Sequence, residues 1–331
     1  MAVDQVTIST PARIHFGLFS VGEIVERKYG GIGLMIAKPR TVITASKSES
    51  LKITGLQTGA CRGALSTWFN NLSIELKGEL GIETFDAIPV NLEIKSCPPR
   101  HCGFGSGTQL ALSSAAAVGK LLGLPTQSPE GFASTLNRGN RSAIGTHGFC
   151  RGGFLVDRGK LENEILAPLD FQSDFPEPWT IVVVQLQGPS SQGISGQQEK
   201  DAFKNLPPTS PHQREAMIQL VREQIIPGLV ERDYNRFGES VYEFGRKSGM
   251  MFDSIQGGPY QSQSIADLVD ECRNFGVKAV GQSSWGPCVV AIASSDEIAA
   301  QLAEHLNDRH GTGVAVEITK ADNVGAKFIT N

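Results

Sequence analysis

Residues 98–118 read PPRHCGFGSGTQLALSSAAAV. Two prolines lead into Gly103, Gly105 and Gly107, and good helix formers follow at once. Upstream, IPVNLEIKS (88–96) alternates Val90, Leu92 and Ile94 at period two, which predicts a strand. Downstream, the apolar run predicts a helix from about Gly107 to Leu122, stopped by Gly123 and Pro125. A helix start carries unpaired N–H groups and partial positive charge, and glycines let main chain approach an anion. Ser106 and Thr108 add hydroxyl donors. Strand, glycine turn and helix therefore predict a phosphate cradle. The stretch lacks the Gly-Lys-Ser/Thr ending of a Walker loop and the usual setting of a dinucleotide GxGxxG. A structural turn with a serine cap is the competing reading of the same residues.

Outward from this unit, QVTISTPARIHFGLF (5–19) predicts two short strands or one bent at Pro11. RTVITASKS (40–48) predicts a strand, and Leu65, Trp68, Phe69, Leu72, Leu76 and Leu80 fall at helical spacing from Arg62 to about Leu80. GGFLVDRG (152–159) predicts a strand behind a glycine pair. Three prolines and three acids in PLDFQSDFPEPW (168–179) predict a connection, dividing the chain into 1–170 and 171–331. Beyond it, TIVVVQLQ (180–187) predicts a buried strand and QGPSSQGISGQQE (187–199) a loop. Pro211 to about Gly249 predicts helix broken at Pro227-Gly228, and 264–276 a helix capped by Ser264 and closed by Gly276. VKAVG and PCVVAIA predict strands around a glycine-rich turn, 295–311 a helix, and VAVEIT (314–319) a last strand. The second half then forms helices on an antiparallel sheet, an α+β arrangement.

The 331 residues, 40% apolar and 19% charged, have ordinary globular composition. A formal charge of -4 gives no basis for a nucleic-acid or acidic-membrane partner. MAVDQVTIST has neither the basic region nor the apolar core of a leader, and no run reaches the roughly 18 apolar residues of a membrane span. The cytoplasm is the expected compartment. Six cysteines form no CxxC pair and no zinc spacing, so reduced, buried thiols are expected.

Arginines fit an anionic ligand, because a guanidinium grips phosphate bidentately. Arg13 lies in the first strand, Arg27 precedes YGGIG, and Arg138 and Arg141 fall in NRGNRSAIGTHGF. Each alone reads as a solvated surface residue, whereas arginines set beside glycine turns read as a site.

Four segments together resemble the GHMP kinase superfamily: PARIHFGLF, PPRHCGFGSGTQLALSSA, RSAIGTHGFCRGGFLV and VGQSSWGPCVVAI. The wording of RIHFGL, YGGIGL, GFGSGTQLAL and GQSSWGP is similar to its branch of β-ribofuranosylaminobenzene 5′-phosphate synthases. The resemblance implies an α+β GHMP-kinase-like fold. Its N-terminal domain has a left-handed βαβ crossover, its C-terminal domain is ferredoxin-like, and the site lies between them. It implies pentosyl transfer from phosphoribosyl pyrophosphate to 4-aminobenzoate or 4-hydroxybenzoate with release of carbon dioxide and pyrophosphate. That is a step of tetrahydromethanopterin biosynthesis, with Mg²⁺ and without ATP, and a homodimer is the expected assembly. An ATP-dependent small-molecule kinase and a non-catalytic ligand-binding relative are the alternatives.

Mapped onto this chain, the resemblance implies that Gly103, Gly105, Ser106, Gly107, Thr108 and Gln109 hold pyrophosphate. Arg13, Arg27 and Arg141 would bind phosphate or carboxylate, with Ser142 also at the substrate, and Ser283, Ser284 and Trp285 would close over the site, Trp285 against the arene or as a plug between domains. His15, Arg27 and His147 are the catalytic candidates. Where the kinases carry the aspartate that activates the acceptor hydroxyl, this chain has Gly145, which cannot take a proton. An acid expected after Gly17-Leu18 is replaced by Phe19-Ser20, and Glu23 or Glu26 is the nearest substitute. No metal ligands are identified.

Overall fold

A computed structural model describes residues 3–22, 26–188 and 196–331, with side chains from 201 onward in the last segment. Glu23 and part of the 187–199 loop lie outside the described residues. In chain order the first layer is β1 (Gln5–Leu18), β2 (Gly31–Lys47), β3 (Lys52–Gly55), α1 (Thr58–Asn70), α2 (Ile74–Leu80), β4 (Val90–Ser96), α3 (Ser106–Leu121), α4 (Pro129–Leu136), α5 (Ile144–Arg151), β5 (Phe154–Asp157) and β6 (Leu169–Ser173). The second is β7 (Thr180–Leu186), α6 (Gly196–Asn205), α7 (Pro211–Leu220), α8 (Ile226–Val230), α9 (Tyr234–Met250), α10 (Asp253–Gln256), α11 (Gln263–Asn274), β8 (Ala279–Gln282), β9 (Cys288–Ala293), α12 (Asp296–His310) and β10 (Val314–Thr319). β11 (Lys327–Thr330) closes the series.

β1 is one bent strand. It pairs antiparallel with β2 along its length, and the register slips between Pro11 and Ala12 and between His15 and Gly17. At the first slip Pro11 faces Arg40 and Ala12 faces Ile36, so Ala37–Pro39 of β2 bulge out of the ladder, where neither Pro11 nor Pro39 has an N–H to give. β2 pairs β4 through its C-terminal half and β5 through Gly31–Leu34, so a seven-stranded sheet forms with order β11-β1-β2-β4-β3 and a β5–β6 branch. β3 and β4 are parallel, joined through α1 and α2. The inner faces of β1, β2 and β4 (Val6, Ile8, Ile43, Leu92) pack on Leu65 and Trp68 of α1 and Leu110 and Val118 of α3.

The four-stranded sheet is antiparallel, in the order β10-β7-β9-β8. Numbered within this domain the order is 4-1-3-2 with a βαββαβ chain path, which is ferredoxin-like. β7 reads as an unbroken apolar run because both its faces are covered. Ile181 and Val183 join the core with β1, β2 and α9, while Val182 and Val184 pack under α11 and α12. The core holding Ile14, Phe16, Leu34, Phe237, Phe244 and Val290 thus spans both sheets and fixes them together.

Several expectations need correction. Helix 62–80 is two helices, because Ser73 caps α2 by accepting from the Leu76 N–H. The helix near 264 is capped by Ser262. The break near 227 falls instead at Glu231–Asp233, since the helix runs on from α7 through a π turn at Val221–Ile225 into α8, and that wider turn sits directly before Pro227. Residues 196–199, expected as the end of a loop, instead begin the helix that runs to Asn205. The sheets change over between Ser173 and Thr180, but 171–331 is not one unit: β6 and β11 belong to the first sheet, β11 pairing with β1. Of the six cysteines, Cys61, Cys272 and Cys288 are buried, Cys97 and Cys102 partly so, and Cys150 is exposed.

Candidate active site

The C-terminal half of β1, beyond the slip at Pro11, packs against the second domain through Ala12, Ile14 and Phe16. There a cavity of about 340 Å³ opens between the C-terminal part of β1, the start of α3, the α4–α5 loop, α9 and the β8–β9 turn. Its polar wall carries Arg13, His15, Thr108, Arg138, Arg141, Ser142 and Ser284. Phe203, Phe252, Tyr260 and Trp285 form an apolar wall. Among the described residues, no aspartate or glutamate lines it. With no lining carboxylate, the three arginines make the cavity a strongly positive site.

The glycine turn shapes this wall more than it lines it. Gly105 has φ +63°, and a Cβ there would come within 2.9 Å of Arg13 Nε. Only glycine leaves that guanidinium in place. Arg13 is tied to both sides of the site: its N–H donates to the Phe104 carbonyl (2.9 Å) and its Nη1 to Ser284 Oγ (2.8 Å). The β8–β9 turn seals the loop from outside, because a Cβ on Gly286 would lie 2.2 Å from the Gly103 nitrogen. Ser283 Oγ donates to the Gly103 carbonyl (2.7 Å) and accepts from the His15 N–H (3.1 Å).

Of the expected cradle, only Thr108, in the first turn of α3, reaches the cavity. Gly103, Gly105, Ser106, Gly107, Gln109 and Ser283 do not line it. Ser106 Oγ donates to the Pro99 carbonyl (3.1 Å), Gln109 Nε2 to the Gly145 carbonyl (2.9 Å), and the Thr108 and Gln109 N–H groups close onto Gly105. These groups serve the turn itself.

Two catalytic candidates also fall away from the cavity. Arg27 forms a bidentate pair with Glu164 (2.8 and 2.9 Å) and donates to the Gly159 carbonyl (3.0 Å). His147 is 4% exposed in α5, its Nε2 2.9 Å from the Ala167 carbonyl, and burial lowers its pKa. Ser20 is buried with its hydroxyl toward the Tyr29 carbonyl, and Glu26 lies beside Leu161–Asn163 rather than in the cavity.

His15, by contrast, lines the cavity, and its Nε2 lies 3.0 Å from Ser142 Oγ. Ser142 Oγ lies 3.3 Å from Asp157 Oδ2, at the end of β5. Asp157 was not foreseen. It is fully buried, accepts from the N–H groups of Ala143 (2.9 Å) and Gly159 (3.0 Å), and burial pushes its carboxyl up to about 6 against those hydrogen bonds. His15 is held well below its ordinary pKa by burial and by the nearby Arg13 charge, so its imidazole is neutral at pH 7. Trp285 packs on Phe203 and Phe252 with ring centroids 5.1 and 4.8 Å apart, and the Arg141 guanidinium lies 4.4 Å over Phe203. Trp285 therefore both walls the cavity and joins α6 to the segment after α9. Phe203 and Phe252 carry no motif that would have marked them, and Asp157 shows in sequence only as an acid ending an apolar strand.

Among the described residues the cavity lining offers a magnesium ion no carboxylate, no group of three His, Cys, Asp or Glu could hold a metal ion, and the cavity's arginines and hydroxyls suit anionic oxygens rather than a cation. No helix among the described residues is long and apolar enough to cross a membrane.

The GHMP kinases N terminal domain matches residues 71–149 and the GHMP kinases C terminal domain residues 225–311. The β-ribofuranosylphenol 5′-phosphate synthase of Methanocaldococcus jannaschii is 30% identical, covering 97% of this chain and 99% of its own length. The chain belongs to the GHMP kinase superfamily, in the β-ribofuranosylphenol 5′-phosphate synthase family. The synthase of that name from Methanothermobacter thermautotrophicus is 27% identical, covering 99% of both chains. The fold is shared more widely: the crystal structure of homoserine kinase from Cytophaga hutchinsonii superposes with a TM-score of 0.67 at 17% identity, over 98% of each chain. The chain is thus an enzyme of the synthase branch on a GHMP-kinase-like fold.

Proposed function

We propose that this enzyme condenses phosphoribosyl pyrophosphate with 4-hydroxybenzoate, releasing carbon dioxide and pyrophosphate, as a cytoplasmic step of tetrahydromethanopterin biosynthesis. The observation that carries the reading is the interdomain cavity itself, lined by three arginines and by aromatic rings, with no carboxylate lining it among the described residues. Departure of pyrophosphate builds negative charge, and cationic donors fixed in advance stabilise it without reorganising. Arg13, Arg138 and Arg141, with the Thr108 hydroxyl, supply such donors. The aromatic wall of Phe203, Phe252 and Trp285 suits a flat ring. Between 4-aminobenzoate and 4-hydroxybenzoate, the phenol is favoured because the relatives' names specify a phenol product. Magnesium would enter on the diphosphate oxygens as part of the substrate. A homodimer belongs to the same proposal and is checked by sedimentation.

A kinase at this site would lack the usual carboxylate. Gly145 faces Thr108, and a Cβ there would meet Thr108 Cγ2 at an ordinary 3.4 Å, so the position is empty of a proton acceptor rather than blocked. The experiment is stoichiometric. Equal release of pyrophosphate and carbon dioxide, only when both substrates are present, is expected. Transfer of phosphate from ATP to an alcohol at ordinary kinase rates, with no pyrophosphate release, would overturn the proposal.

A further inference from the structure

We propose that Asp157 and Ser142 are positioning residues that hold His15 as the proton acceptor for the 4-hydroxyl of the aromatic substrate. This rests on the reaction proposed above. The three side chains form a line running from the buried end of β5 to the cavity wall: Asp157 Oδ2, Ser142 Oγ at 3.3 Å, and His15 Nε2 a further 3.0 Å on. A carboxylate only accepts, and a serine hydroxyl has one proton to give. With that proton directed at Asp157, the serine oxygen accepts from His15, so the imidazole carries its proton on Nε2. Nδ1 then keeps its lone pair, on a side chain that lines the cavity. Ser142 is no nucleophile in this arrangement, since it sits between the acid and the imidazole. The charged groups facing His15 are Arg13, whose charge acts on it directly, Arg138 and Arg141 elsewhere on the cavity wall, and Asp157 behind Ser142. The cations oppose an added proton on the imidazole and favour a phenolate beside it.

The proposed step balances within the two substrates. The ring carbon bearing the carboxylate donates a π pair to the anomeric carbon as the bond to pyrophosphate breaks, its pair leaving with the pyrophosphate. The 4-hydroxyl proton passes to His15 Nδ1, and the oxygen closes a C=O, giving a neutral dienone ring. Loss of carbon dioxide leaves its bonding pair in the ring and restores aromaticity. The resulting phenolate takes the proton back from His15. An aniline nitrogen surrenders a proton far less readily, so the relay selects the phenol.

The test uses the full-length protein, with kcat and KM read from pyrophosphate release. On 4-hydroxybenzoate, His15→Gln is expected to lower kcat about 100-fold, and Ser142→Ala about 10-fold, with KM nearly unchanged. The acceptor 3,5-difluoro-4-hydroxybenzoate has a far more acidic phenol and arrives largely ionised at pH 8. On it, both deficits relative to wild type are expected to shrink to within about threefold. Asp157→Asn should follow Ser142→Ala. If that variant fails to fold, Ser142→Ala, which removes only a half-buried hydroxyl, decides the matter. Equal deficits on both acceptors, or kcat values unaltered by either substitution, overturn the relay. Silence of the wild-type enzyme with every acceptor overturns the reaction, and the relay with it.

Discussion

His15 and His147 occupy two walls of one domain and share every local property used to rank histidines. Each is 4% exposed, each has a pKa lowered chiefly by burial, and each has a ring nitrogen within hydrogen-bond distance of an oxygen. They differ in what lies beyond that oxygen. For His147 it is the Ala167 carbonyl, a main-chain acceptor beside the small core of Ala133, Ala143, Leu166 and Ala167. For His15 it is a hydroxyl backed by a buried carboxylate, on a wall of the arginine-lined cavity. Burial and a perturbed pKa therefore mark candidates, and the connection to a cavity separates function from packing.

The comparison breaks most readily on turnover. His15→Gln should lower kcat about 100-fold while His147→Gln stays within about twofold, measured as pyrophosphate release. A smaller effect comes from the same helix as His147. Gly145→Asp should fold, because its Cβ finds only ordinary contacts at Thr108 and Gln109, but it sets a negative charge beside the cavity. The KM for phosphoribosyl pyrophosphate should rise about tenfold, one like-charge contact in a partly screened site. Stability reverses the ranking. His147→Leu leaves the Ala167 carbonyl without its donor and should cost about 1–3 kcal/mol in denaturant titration, whereas His15→Gln should cost less than about 1 kcal/mol.

The smallest expected effect is on pH dependence. The folded pKa of His15 lies below its unfolded value, so only the unfolded chain takes up a proton as pH falls through about 6.5. The wild type should lose stability relative to His15→Gln between pH 7.5 and 5.5. Parallel melting-temperature curves for the two proteins would remove that assignment.

The sequence was most informative where physics acts locally or where a motif fixes a position. The unbroken apolar run of TIVVVQL marked a strand covered on both faces, and Pro11 marked the bend of β1. Arg13, His15, Thr108, Arg141, Ser142, Ser284 and Trp285 all reach the cavity, and all came from matched motifs. What stayed hidden depends on distant partners. Arg27 looked like a phosphate ligand until Glu164, 137 residues away, proved to hold it. The backbone role of Gly103 depends on Gly286, across the interface. β11 escaped notice because its four residues are all exposed and show no alternating pattern of burial. Asp157 looked like an ordinary strand end, and only the folded chain sets it against Ser142.

β11 is the outer neighbour of β1, through Val6–Ser9, and so flanks the strand that carries Arg13 and His15. During synthesis it leaves the ribosome after every element of the second domain. The first sheet therefore remains one strand short, with β1 as an open edge able to pair with another chain, until translation has passed residue 330. Vectorial folding can finish the ferredoxin-like half before it finishes the half made first.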